Sequence, residues 1–220
     1  MNTMLRRREM IASGGSPTPP GVVFYDRLVF DGTAYIDTDI TIPTDASFRI
    51  TVGGETAKSA QRVFGIACAN SGGTSVILSG QTNNTKRVVN AYYQSYSAVS
   101  SKDLAWTYEQ YTIVLTPKRF GFGNSTDLIT KGSDAFIGGI VFGSTGTHSG
   151  NPFTGKMGES RIYGSEAQNA TGSSELWNDY TPVFTFKPCT YNGNAGMWCV
   201  ETSTFYGNSA GSGSLTVQNI

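Results

Sequence analysis

The chain is poor in charge. Sixteen Lys and Arg stand against sixteen Asp and Glu in 220 residues, for a formal net charge of zero. A neutral chain sets up no overall field favouring nucleic acid or an acidic membrane surface. There is one histidine, His148, and three cysteines, Cys68, Cys189 and Cys199. An odd cysteine count without metal-ligand spacing argues against a disulfide framework and against zinc. The thiols read as small apolar residues, in keeping with assembly in a reducing cytoplasm. Cys189 and Cys199 flank a turn, a spacing that would let them lie opposite each other. No apolar stretch approaches the roughly 20 residues that span a bilayer. Arg6, Arg7 and Arg8 are followed by Glu9–Pro17 without an apolar segment, so no secretory or twin-arginine signal is read. There is no G-x-S-x-G elbow and no phosphate-binding glycine loop.

Glycine (27 residues) and aromatics (12%) are abundant instead. That is the composition of many short strands joined by turns, and it indicates a single all-β domain with a sizeable core. Residues 1–21 stand apart. A short basic stretch with Met4 and Leu5 as apolar anchors beside Arg6–Arg8 leads into the Pro/Gly/Ser-rich segment 12–21, which forms neither helix nor central strand. We read 1–21 as a docking arm or linker and 22–220 as the folded domain. Strand signals recur throughout: 22–30 and 35–42 around Asp31-Gly32-Thr33, then 47–52, 62–69, 74–79, 86–97, 108–116, 119–122 and 128–130. Phe48, Ile50 and Val52 alternate with Arg49 and Thr51, as in a half-buried antiparallel strand. Residues 135–142 are apolar on both faces and read as a central strand, their two glycines marking close packing or a bulge. Residues 143–151 read as a polar loop, 156–163 as a strand, and 167–180 as a loop with at most one helical turn. About a dozen strands in two sheets is the expected architecture.

Few residues suit catalysis. Glycoside hydrolysis needs two carboxylates about 5–5.5 Å apart for retention. Glu159, Glu166 and Glu175 are separated by loop-like sequence, and Asp37 and Asp39 fall on an edge hairpin, so all read as solvated surface groups. A lone loop histidine reads the same way. Asp127 and Asp134 lie in loops of the kind that bind calcium, without the dense cluster calcium needs. No catalytic residue, metal or cofactor is expected. Aromatics are the better binding signal. Tyr92, Tyr93, Tyr96 and Trp106 lie close together in sequence, with Asn90, Gln94 and Ser95 as polar neighbours, a combination that suits a sugar ring. Tyr92 and Tyr93 are adjacent and must point to opposite faces. Tyr93, Tyr96, Trp106 and Asn90 are the candidate carbohydrate contacts. The alternative is that these aromatics are packing residues.

The C-terminal third carries the most specific pattern. FTGKMGESRIYG (153–164) is followed by a variable loop, then F-x-P-C from Phe186, the turn Asn192–Gly196, G-M-W to Trp198, and FYGNSAGSG from Phe205. Asn-Gly between apolar runs is a strong hairpin signal. With LVFDGTAYIDTDI (28–40), these motifs resemble concanavalin A-like, laminin-G type jelly-roll domains, found in surface proteins and in phage virion proteins of gut bacteria. The resemblance implies an antiparallel jelly-roll β-sandwich with an extended N-terminal arm, and places Trp198 in the core. It also implies a non-enzymatic structural or display protein of a tailed-phage virion, on head or tail, assembled in the host cytoplasm and open to host glycans. The expected partners are other virion proteins through the arm and further copies of the chain, a trimer being favoured; neither nucleic acid nor membrane is expected. A stand-alone carbohydrate-binding module is the alternative, and a degenerate glycosidase the remote one.

Overall fold

A computed structural model describes residues 18–54, 61–69, 73–80, 86–95, 100–105, 111–122, 125–148, 152–170 and 176–220. The anchors Met4, Leu5 and Arg6–Arg8 lie outside them, as do Tyr96 and Trp106. The described residues form seventeen strands: β1 (Val22–Phe24), β2 (Arg27–Asp31), β3 (Ile36–Asp37), β4 (Ser47–Gly54), β5 (Gln61–Cys68), β6 (Gly73–Gly80), β7 (Lys86–Ser95), β8 (Ser100–Ala105), β9 (Tyr111–Leu115), β10 (Arg119–Phe122), β11 (Ser125–Leu128), β12 (Phe136–Phe142), β13 (Thr154–Tyr163), β14 (Phe184–Tyr191), β15 (Asn194–Cys199), β16 (Thr204–Tyr206) and β17 (Leu215–Gln218). Two short 3-10 helices, Ser165–Asn169 and Leu176–Asp179, lie between β13 and β14.

The strands build two antiparallel sheets. The large sheet runs β11-β10-β9-β4-β13-β14-β15-β16, with β1 on β14 and with β2, carrying β17, on β13; the small sheet runs β3-β12-β5-β6-β7-β8. Alternation decides which side chains meet between them. Phe48, Ile50 and Val52 of β4 turn inward and join Phe64 and Ile66 of β5 in one buried cluster. The Phe48 and Phe64 rings are 5.4 Å apart, and Phe142 meets Phe186 edge-on at 5.0 Å, so aromatic contacts tie one sheet to the other. This is the all-β sandwich expected from strand periodicity.

Some local readings need correction. Cys189 pairs with Gly196 and Cys199 with Phe186, so the two thiols face opposite sides of the sheet. All three cysteines are free and buried. Residues 136–142 are not a central strand: β12 has only the two-residue β3 beyond it, and Ile137 is 65% exposed. Its glycines serve a bulge, where the register to β5 shifts between Phe136 and Ile140. A side chain at Gly139 would also strike the Thr38 carbonyl oxygen.

The turns that place the sheet ends are held by side chains. Asp31 accepts from the Thr33 amide and hydroxyl (both 2.8 Å), from the Ala34 amide (3.0 Å) and from the Ser214 amide (2.5 Å). One carboxylate thus fixes the β2–β3 turn and brings the C-terminal segment to β2. Desolvation alone would raise its pKa, but the hydrogen bonds outweigh it and hold the carboxyl well below the usual range.

Candidate functional site

Of the expected sugar contacts, Tyr93 and Asn90 lie among the described residues, and Tyr93 does not face solvent. Tyr93 is fully buried, its hydroxyl donating to the Ala46 carbonyl at 2.6 Å, and its ring packs against Phe136 at 6.0 Å. Burial pushes the phenol pKa up, with the Asp45 charge adding to it. A ring enclosed on all sides cannot stack on a sugar, so Tyr93 is a core residue. Gln94 is also buried, and its backbone amide donates to the Thr74 hydroxyl. Asn90 is half-buried on β7, opposite Ser101 of β8.

Strand register assembles a different aromatic group on the solvent side of the large sheet. On β14, Phe186 points to the core, so Lys187, Cys189 and Tyr191 point outward. On β15, Met197 points inward and Trp198 outward. The ladder sets Lys187 opposite Trp198 and Trp198 opposite Phe205 of β16, while β1 sets Val22 opposite Tyr191 and Phe24 opposite Cys189. The result is a compact cluster of Val22, Cys189 and Trp198, with Phe24, Tyr191 and Phe205 half-buried around it. The Tyr191 ring lies 5.5 Å from Phe205 and 6.1 Å from Trp198. Trp198 is therefore buried on the outer face of the sheet, not in the main core. Gly196 leaves room for the Phe205 ring, which a side chain there would strike.

Charged groups border these rings. Lys187 Nζ sits 6.0 Å from the centre of the Phe24 ring and 3.7 Å from Glu159 Oε2. Arg161 Nε bonds the other Glu159 oxygen at 2.5 Å. Beneath the rings the Cys189 thiol is pushed up to about 12 by burial. It is a floor for the cluster, not a reactive thiol.

A second constellation lies at the edge of the small sheet. His148 has a left-handed backbone (φ 56°), which swings its ring onto Tyr35 at 4.8 Å and brings Nε2 to 2.8 Å from Asp37. The Ser209 amide donates to the Tyr35 carbonyl and the Ser209 hydroxyl accepts from the Asp37 amide. Those are two of the backbone groups an added strand would use, so Ser209 blunts this edge. Asp39, two residues on, receives the Tyr206 hydroxyl at 3.4 Å and stands at one end of a groove of about 210 Å³ formed with Phe136–Gly139. Sequence reasoning treated His148 and Asp37 as separate surface groups; 111 residues separate them. Among the described residues, no group of three His, Cys, Asp or Glu side chains is placed to hold a metal ion.

No family model matches the chain, and no curated protein matches it. Among solved structures, the native heptameric SAP-like pentraxin from Limulus polyphemus is similar over 62% of this chain and 75% of that one, at 13% identity and a TM-score of 0.47. A likeness at that level speaks to neither ligand nor partner.

Proposed function

We propose that this chain is a non-enzymatic recognition domain that meets a glycan through the open aromatic face of its large sheet. One observation carries the reading. Phe24, Tyr191, Trp198 and Phe205 cluster on the solvent side of the sheet, and every member of that cluster comes from the sheet's own strands. Aromatic faces suit the apolar side of a pyranose ring, and flanking polar groups fix its orientation. Lys187 and Glu159 stand in that flanking position. Carboxylates elsewhere have structural work: Asp31 holds a turn, and Asp37 fastens the His148 loop.

The setting proposed for this domain is a tailed-phage virion, on head or tail. The motifs of the C-terminal third and residues 28–40 support it by resemblance. In that setting residues 1–21 join neighbouring virion proteins, and the domain assembles with further copies, as a trimer. A stand-alone carbohydrate-binding module would share the same face and lack the assembly.

A glycan array probed with the full chain tests the recognition role. Saturable binding to a subset of glycans is expected, and silence across the array would overturn it. Release of reducing sugar from any bound glycan would contradict the non-enzymatic assignment. For the arm, a version beginning at Gly21 should fold and fail to assemble; assembly at full occupancy would remove the arm from the proposal.

A further inference from the structure

We infer that the ligand of this outer face is an anionic glycan, bearing carboxylate or sulfate groups; this rests on the glycan reading above. The ladder between β4 and β13 places Arg49 directly opposite Arg161. Both point to the solvent side, because Phe48, Ile50 and Ile162 beside them point into the core. Like charges directly opposite on neighbouring strands oppose pairing. A sheet shaped by stability alone would set unlike charges there.

The local balance is uneven. Arg161 and Lys187 share the single carboxylate of Glu159. Two further carboxylates on this side, Glu201 and Glu166, accept from the Thr185 amide at 2.6 Å and the Gly164 amide at 3.1 Å, and neither forms an ion pair with Arg49 among the described residues. Arg49 is left over. Its Nε is shut off from solvent and has no hydrogen-bond partner among the described residues, a feature shared with Arg62 and Arg119, so it is the place of Arg49 opposite Arg161 that marks it out. A buried donor without a partner carries the full cost of its desolvation. An anion laid against the row would meet the outer guanidinium nitrogens, not the enclosed Nε, through charge-assisted bonds, and a guanidinium fork suits the planar geometry of a carboxylate.

The cationic row and the aromatic platform are continuous. Lys187 joins them, opposite Trp198 on one side and sharing Glu159 with Arg161 on the other. From β4 to β16 there are four strand spacings, about 19 Å, the reach of a short oligosaccharide. Sugar rings over Tyr191 and Phe205 would carry an acidic group toward Arg49 and Arg161.

The test is a binding titration of the full chain against four probes: oligogalacturonate, sulfated dextran oligosaccharide, unsulfated dextran oligosaccharide, and a single-stranded oligonucleotide of matched charge. At least one acidic glycan should bind tenfold or more tightly than the neutral one, and that affinity should weaken as salt rises. The two acidic arms separate carboxylate from sulfate. Arg49→Gln should weaken acidic binding about tenfold without lowering the melting temperature. Arg49→Lys, which keeps the charge and loses the fork, should fall between. Arg62→Gln, on the small sheet, should change nothing. Equal affinity for neutral and acidic glycans would overturn the inference and leave the glycan reading standing. Equal binding by wild type, Arg49→Gln and Arg49→Lys would overturn it too, as would oligonucleotide binding as tight as that of the best glycan. Failure of every glycan to bind would instead remove the glycan reading itself.

Discussion

The outer face of the large sheet carries two aromatic clusters, and among the described residues only one of them is covered by a connecting segment. Toward β9 and the far end of β13, Tyr163 and Trp177 meet with ring centres 4.7 Å apart, together with Val114, Ala167 and Ala170. Trp177 is 1% exposed. Toward β14–β16, Phe24, Tyr191 and Phe205 remain half-buried. The chemistry of the two is alike, and chain connectivity separates them. The connection from β13 to β14 is long enough to fold back in two 3-10 turns and lay Ala167, Ala170 and Trp177 on the sheet. The connections β14–β15 and β15–β16 are tight turns with no chain to spare. Covering by the chain's own residues turns an aromatic cluster into core; leaving it open makes it a surface available to a ligand.

That contrast yields a graded set of expectations. Trp177→Ala should have the largest effect, about 3–5 kcal/mol of lost stability, as for aromatic truncation in a core; urea unfolding measures it. A loss near 1 kcal/mol would mean that the cover is loose and the two clusters are equivalent. Next comes the alkaline side of the stability curve, which probes the floor of the open cluster. The Cys189 thiol is pushed up to about 12 by burial, and Cys68 and Cys199 are also raised, chiefly by burial. Above the ordinary thiol value of about 8.5 the unfolded chain loses these protons while the folded chain keeps them. The thiols' contribution to stability should be flat below that pH and fall above it, by at most about 1.4 kcal/mol per pH unit for each thiol. Alkylation of Cys189 in the folded protein at pH 9 as fast as in urea would show the cluster open to its floor.

Tyr191→Ala should cost only about 1 kcal/mol, because its ring is half-buried rather than enclosed and truncation leaves little cavity. A cost equal to that of Trp177→Ala would erase the distinction. Smallest is Arg49→Gln, expected to raise stability by a few tenths of a kcal/mol through relief of the Arg49–Arg161 opposition; thermal unfolding at low salt shows it best, since salt screens the repulsion.

Much of the sandwich was legible in the sequence because its signals are local. The final hairpin follows from Asn192-Gly193, which adopt the positive φ values (48° and 84°) that this turn requires. Alternation in 47–52 sorted Phe48, Ile50 and Val52 from Arg49 and Thr51, as observed. The adjacent pair Tyr92–Tyr93 was bound to face opposite ways, but nothing local says which tyrosine points inward; the Ala46 carbonyl that receives Tyr93 is 47 residues away. The aromatic platform was out of reach for the same reason. Its members span Phe24 to Phe205 on four strands, and only the ladder between those strands makes them neighbours. β17 was missed because Leu215–Gln218 is only four residues long and follows a glycine- and serine-rich stretch. Its anchor, the bond from the Ser214 amide to Asp31, crosses 183 residues.

The most direct test of the open face is the double substitution Tyr191→Ala with Phe205→Ala, followed by glycan binding and melting temperature on the same sample. The account predicts loss of binding to every glycan that the unaltered protein captures, with a melting temperature lowered by several degrees, the scale of about 2 kcal/mol in a domain of this size. Retained binding by a folded double variant would contradict it, and so would a collapse of the melting temperature to that of Trp177→Ala.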